Sequence, residues 1–213
     1  MIDAVIFDCD GVLVDSEELA MDVWVEMAAE YGFTLSHADA LAAFRGGEMA
    51  KCVAHLESLI GRSVRDDFVP DFRARSAEKF ERELKPIPGV IEVLNHLPVP
   101  FCVASNGPLE KMDVSLRVCG LDGYFIDRVI SAYRVGSFKP APGLFLAAAA
   151  RLGANPARCA VVEDSMTGAR AGIAAGMSVF TICAASEADA FRSIGTTPFQ
   201  TMDELIGLLG FSA

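Results

Sequence analysis

The feature that most constrains this chain is a repeated pair of patterns, a short apolar run that stops at a polar or small residue followed by a stretch of helical periodicity. Ala4-Val5-Ile6-Phe7 ends at Asp8, Phe101-Cys102-Val103-Ala104 at Ser105-Asn106-Gly107, and Arg128-Val129-Ile130 at Ser131. Cys159-Ala160-Val161-Val162 ends at Glu163-Asp164, and Ser178-Val179-Phe180-Thr181-Ile182 near Cys183. These runs contain β-branched residues and lack polar alternation, as strands buried on both faces do. Helical patterns separate most of them, over 89–97, 109–119, 142–152 and 165–175. Strands alternating with helices predict an α/β fold, a doubly wound, Rossmann-like parallel sheet whose ligands sit beyond the carboxyl ends of the strands. The polar strand ends are therefore where chemistry is expected.

One stretch breaks the alternation. Between 16 and 85 only helical segments occur, over 19–31, 36–44, 49–60 and 64–84, with Gly32, Gly46-Gly47 and Gly61 as punctuation and Ser36 placed as an N-cap. This insertion leaves just after Asp15 and returns at Pro86-Ile87-Pro88-Gly89, a stiff turn-forming stretch suited to a hinge. The expected organisation is a Rossmann-like core of 1–15 and 86–213 carrying an all-α helical insertion of 16–85. Trp24 and the Met21/Val25/Ala28 stripe read as the insertion's own core.

Composition narrows the function. With 52% hydrophobic and 22% charged residues the chain can bury a sizeable core. Six cysteines, at 9, 52, 102, 119, 159 and 183, form neither a C-x-x-C pair nor a zinc-spaced cluster, which fits a reduced, cytoplasmic setting. Cys9 reads as a small core hydrophobe. The opening Met1-Ile2-Asp3-Ala4 has no basic stretch, and the apolar runs are too short or too interrupted to span a bilayer, so no membrane partner is expected. A net charge of −11 without a basic patch speaks against a nucleic-acid partner. A small anionic substrate would need a site that supplies its own cations.

The string Asp8-Cys9-Asp10-Gly11-Val12-Leu13-Val14-Asp15-Ser16 follows the first strand directly. Two carboxylates one residue apart, on a turn that Gly11 permits, can act on one substrate atom as nucleophile and general acid/base. Phosphoryl transfer needs an in-line nucleophile and compensation of charge on the moving oxygens, and Asp8, Asp164 and Glu163 offer hard oxygen ligands suited to Mg²⁺. Lys139 offers a point charge, and Ser105 with the Asn106 backbone N–H lies where a strand passes into a helix, a natural phosphate grip. His37, His55 and His96 read as surface or packing residues.

The segment from Asp8 to Ser16 resembles the first motif of the haloacid dehalogenase-like superfamily, D-x-D-G-x-x-x-D-[ST]. Ser105-Asn106 resembles the second motif, Lys139-Pro140 the third, and Glu163-Asp164 with Ser165-Met166-Thr167-Gly168 the fourth; Ala171-Gly172-Ile173-Ala174-Ala175-Gly176-Met177 also matches. The resemblance spans nearly the whole chain and is greatest to the β-phosphoglucomutase-like branch. It implies that 16–85 is a cap, that Asp8, Asp10, Ser105 and Lys139 are catalytic, and that Asp8, the Asp10 carbonyl, Asp164 and Glu163 surround Mg²⁺, Glu163 either directly or from behind. Asp15 is expected to hold the loop by hydrogen bonds. Arg45 and Lys51, where related enzymes carry a specificity loop, are placed to bind substrate, as is Asn106.

The activity this implies is Mg²⁺-dependent hydrolysis of a small phosphorylated metabolite through an aspartyl phosphate on Asp8. Ser105-Asn106-Gly107-Pro108 with Lys111-Met112, and Ser131-Ala132-Tyr133 before Lys139-Pro140, are similar to bacterial 6-phosphogluconate phosphatases, which points to sugar or sugar-acid phosphates. A sugar-phosphate mutase is the nearest alternative, but mutases of this branch carry a histidine where this chain has Ala20. A dehalogenase would need neither Asp10 nor a metal, and a non-catalytic regulator would have lost a motif residue. Oligomeric state is not specified by any of these features.

Overall fold

The structure, a computed structural model, describes residues 2–211; Met1 of the opening stretch lies outside them. The described strands are β1 (Ala4–Phe7), β2 (Phe101–Ser105), β3 (Val129–Ser131), β4 (Cys159–Glu163), β5 (Ser178–Ile182) and β6 (Thr197–Phe199). They form one parallel sheet in the order β3-β2-β1-β4-β5-β6. The order reverses direction at β1, so the crevice between the ends of β1 and β4 is the topological switch point at which such sheets bind ligands. The edge strand β6 was not anticipated: Thr197-Pro198-Phe199 is short, and proline, lacking an N–H, is tolerated only at an edge or strand start.

The helices are α1 (Glu17–Glu30), α2 (His37–Phe44), α3 (Met49–Ile60), α4 (Phe68–Glu83), α5 (Val90–His96), α6 (Leu109–Val118), α7 (Ala132–Val135), α8 (Gly143–Arg151), α9 (Met166–Ala174), α10 (Ala188–Ser193) and α11 (Met202–Leu208). Because successive strand residues face opposite sides, Val5 and Phe7 of β1 enter one core with α5, α6 and α11, and Ala4 and Ile6 the other with α8, α9 and Phe191 of α10. Both faces of β1 are thus covered, which explains its uninterrupted apolar sequence.

Helices α1 to α4 carry a third cluster in which Trp24 stacks on Phe44, ring centroids 4.4 Å apart, and lies 4.7 Å from Phe72. Helix α4 begins at Phe68, later than the periodicity suggested, and Pro70 sits in its first turn, where no intrahelical N–H is lost. Phe68 and Phe72 pack into the helical layer, whereas Phe80, nearer the other end, joins the sheet core. The chain leaves and re-enters the sheet region side by side: Asp15 N–H donates to the Lys85 carbonyl (2.9 Å) and Ile87 N–H to that of Leu13 (3.0 Å). Among the described residues no helix is long and apolar enough to cross a membrane.

Candidate active site

The ends of β1, β2 and β4 converge on one group of charges. Asp8, the first residue past β1, is buried, and Lys139 Nζ lies 2.7 Å from its Oδ1. That contact is an ion pair without aligned hydrogen-bond geometry, and the buried Oδ1 has no hydrogen-bond donor. Lys139 also donates to Glu163 Oε1 at 2.5 Å. Glu163 Oε2 accepts from the backbone N–H of Asp164 (3.0 Å) and Ser165 (3.0 Å) and from Ser165 Oγ (2.9 Å). Glu163 is therefore fully occupied in holding Lys139 and the turn after β4. Ser165 also accepts from Gly168 N–H and so caps α9.

Two glycines make this packing possible. Gly11 has φ +70°, and a Cβ there would collide with the Asp164 carboxylate; a Cβ on Gly168 would overlap the carboxylate of Glu163. Both positions thus need glycine for close approach, Gly11 for its backbone angle as well. Asp10, on the Gly11 turn, receives hydrogen bonds from Ser16 Oγ at Oδ1 and from Lys111 Nζ at Oδ2, the latter 2.7 Å long. Asp15 holds this loop through its backbone N–H, its side chain being exposed, and it is Ser16 that orients Asp10.

Asp8, Glu163 and Asp164 each present a carboxylate oxygen within 4.8 Å of the others. Such crowding has electrostatic consequences. Burial pushes the Asp8 carboxyl up to about 8; Lys139 opposes this, while Glu163, Asp164 and Asp10 add to it. Asp164 is raised by burial, Glu17 and Glu163 against the pull of Arg45. Burial alone would lower Lys139, but Asp8 and Glu163 hold it charged and raise it. For Asp10, burial works upward yet is outweighed by Lys111 and Ser16, so it is held below its ordinary range as a carboxylate.

At the end of β2, buried Ser105 accepts from Gly107 N–H (3.0 Å), and Asn106 Oδ1 accepts from Lys139 N–H (2.9 Å). The Asn106 Nδ2 is buried without a partner. Asp8, Asp10, Ser105, Asn106, Lys139 and Asp164 all line a cavity of about 460 Å³ between the strand ends and the helical layer. The two cap residues of the sequence reading do not. Arg45 sits outside this cavity, its Nε 2.6 Å from Glu17 and its Nη2 donating to Asp164 Oδ2 at 2.9 Å. Lys51 is exposed and pairs with Glu48, the residue just before its helix. Sequence reasoning gave no role to Glu17, Arg73 or Ser76, which line the cavity, and used Lys111 only as a resemblance. The signal for α4 was available, since Arg73, Ser76, Ala77 and Phe80 recur at one-turn spacing.

A profile of the haloacid dehalogenase-like hydrolases matches residues 2–176. The chain belongs to that family. It is 37% identical over 184 residues to the 6-phosphogluconate phosphatase of Escherichia coli, covering 86% of this chain and 83% of that one. Among solved structures, a haloacid dehalogenase-like protein of unknown function from Agrobacterium tumefaciens superposes with a TM-score of 0.85 at 32% identity, covering 99% and 98% of the two chains. A family hydrolase from Deinococcus radiodurans, solved with bound phosphate and sodium, gives 0.80 at 32% identity over 98% and 95%. In this haloacid dehalogenase-like hydrolase, then, the four segments that resemble motifs in the sequence meet at the ends of β1, β2 and β4 and at Lys139.

Proposed function

We propose that this hydrolase is a divalent-metal-dependent phosphatase that removes phosphate from a small sugar or sugar-acid ester by way of an aspartyl phosphate on Asp8. The observation that carries the reading is the buried Asp8 carboxylate held against Lys139, with Asp10 two residues on and Asp164 across the switch point. The likeness to a 6-phosphogluconate phosphatase supports the substrate class.

The donor set fits a metal ion. Asp8 has a buried oxygen without a hydrogen-bond donor, and Asp164 brings a second carboxylate oxygen within 4.8 Å of it, a hard set of the kind Mg²⁺ prefers, to which the family resemblance adds the Asp10 backbone carbonyl. Mg²⁺ bound there would offset the negative charge of phosphate and carboxylates together. Glu163, its lone pairs already engaged, is assigned to fixing Lys139.

In the first step an Asp8 oxygen attacks phosphorus, the bond from phosphorus to the ester oxygen breaks, and Asp10 gives that oxygen a proton. In the second, water attacks phosphorus, Asp10 takes its proton, and Asp8 is released as a carboxylate. Lys111 and Ser16 hold Asp10 in its basic form, so loading it with a proton for the first step requires Lys111 to swing from Oδ2. Ser105, the Asn106 N–H and Lys139 grip the phosphoryl oxygens. The helical layer of 16–85 is assigned the role of a cap that closes over the cavity and limits water access. Turnover of 6-phosphogluconate with Mg²⁺, silenced by EDTA and restored by Mg²⁺, tests the proposal; turnover that survives complete chelation would refute it.

A further inference from the structure

The cavity wall made by the helical layer is mostly apolar, lined by residues such as Met21, Trp24, Phe44, Met49 and Phe72. Three polar side chains interrupt it: Glu17 of α1, which is paired with Arg45, and Arg73 and Ser76, one turn apart on the same face of α4. Ser76 is only 6% exposed, and its Oγ has no hydrogen-bond partner. A serine in mid-helix ordinarily bonds the carbonyl a turn back or turns to solvent. Leaving a buried hydroxyl unpaired costs free energy unless a ligand completes it.

Arg73 is distinct from the other cations of the cavity. Lys139 is held by Asp8 and Glu163, and Lys111 by Asp10. Among the described residues Arg73 faces no carboxylate; its guanidinium lies over the Tyr133 ring, 5.6 Å from the centroid, with Nη2 3.3 Å from the hydroxyl. A long neutral hydrogen bond and a cation–π contact at an exposed site are weak, and a carboxylate would displace them for a charge-assisted pair. In a chain of net charge −11, an uncommitted arginine at the cavity is the natural receptor for an acidic group.

Resting on the phosphatase reading above, we infer that Arg73 and Ser76 form the leaving-group subsite, Arg73 binding a carboxylate and Ser76 a hydroxyl of a sugar-acid phosphate. Arg73 thereby sets the preference for acids over neutral polyols, the role that sequence reasoning gave to Arg45. Tyr133 parks the guanidinium at the cavity rim until substrate arrives.

The test compares wild type, Arg73→Ala, Arg73→Lys and Ser76→Ala on three esters: 6-phosphogluconate, glucitol 6-phosphate and p-nitrophenyl phosphate. Arg73→Ala is expected to lower kcat/KM for 6-phosphogluconate by about 10-fold or more, chiefly through KM, and that for glucitol 6-phosphate by less than about 3-fold. Arg73→Lys should fall between, because a lysine keeps the charge but not the planar fork. Ser76→Ala should lower both six-carbon substrates by about 3- to 10-fold relative to the aryl ester. Equal losses from Arg73→Ala on the acid and the polyol, or no loss on either, would overturn the inference while aryl phosphate turnover kept the phosphatase reading intact. A wild type that cleaved none of the three esters would remove that reading and this inference with it.

Discussion

The floor of the cavity and its helical wall are built on opposite principles. At the floor nearly every charge has a fixed partner: Lys139 lies between Asp8 and Glu163, Lys111 holds Asp10, and Arg45 reaches across to Asp164. Glycines at 11 and 168 let the carboxylates pack against backbone. The wall is an aromatic surface around Trp24, interrupted by Glu17, which Arg45 holds, by an uncommitted Arg73 and by an unpaired Ser76 hydroxyl. A buried network that is fully paired is rigid, and breaking one member strands a charge. An apolar wall with one or two unsatisfied donors accepts changes of ligand at modest cost. On the function proposed above, the difference teaches that the floor determines the reaction and the wall determines what the phosphate is attached to.

That contrast breaks most visibly at Asp8. Asp8→Asn is expected to lower kcat by roughly 10³-fold or more on every ester, since no nucleophile remains, while the melting transition persists; near-normal turnover in a homogeneous preparation would collapse the distinction between floor and wall. Asp10→Ala should cost about 10²- to 10⁴-fold on alkyl phosphates, with the first step partly rescued by an aryl leaving group that needs no proton.

Next comes the packing of the floor. Gly168→Ala forces Glu163 off Lys139, and a loss of about 1–3 kcal/mol in stability together with reduced activity is expected, measured by denaturant titration alongside kinetics. A neutral result would mean that the turn after β4 yields more easily than its geometry suggests.

The metal sharpens the comparison through pH. Burial raises Asp8 to about 8 and also raises Asp164, so protons compete with a divalent ion for these carboxylates. Apparent Mg²⁺ affinity should therefore increase from pH 6 to pH 8, read by calorimetry. The sign for folding is the reverse: with Asp8 at 3.8 when unfolded and about 8 when folded, the metal-free fold binds more protons, so this group's contribution to stability falls as pH rises between those values. Added Mg²⁺ should flatten that fall in melting temperature.

The smallest effects belong to the two residues beyond the cavity. Arg45→Ala should lower kcat/KM by about 10-fold on sugar and aryl esters alike, because it loosens Asp164 rather than contacting a leaving group. Selective loss on a sugar acid would return Arg45 to the role its loop position first suggested. Lys51→Ala, an exposed lysine paired only with Glu48, should leave every substrate within about twofold.

How much was legible followed the physics of each region. The strands β1 to β5 could be read because a strand buried on both faces must be apolar throughout, and their polar ends marked the floor. Short β6, helices α10 and α11 left no comparable pattern. The wall was less legible because side chains there come from all four helices α1 to α4 and the loop after α2, and only the tertiary arrangement decides which of them face the cavity. Arg45 and Lys51 were near the right loop yet point elsewhere, drawn to Glu17, Asp164 and Glu48. Ser76 looked like an ordinary helix residue until its burial and missing partner were visible.

The most direct test of the chemistry is to trap the covalent intermediate. Asp10→Ala, given p-nitrophenyl phosphate and Mg²⁺, should release one equivalent of nitrophenol and stall, because the first step needs no acid and the second lacks its base. Acid quenching followed by peptide mass spectrometry should then locate the phosphoryl group on Asp8, at close to one per chain, with none in the Asp8→Asn, Asp10→Ala double variant. Nitrophenol release without a phosphorylated peptide, or a phosphoryl group on any other residue, would contradict Asp8 as the nucleophile.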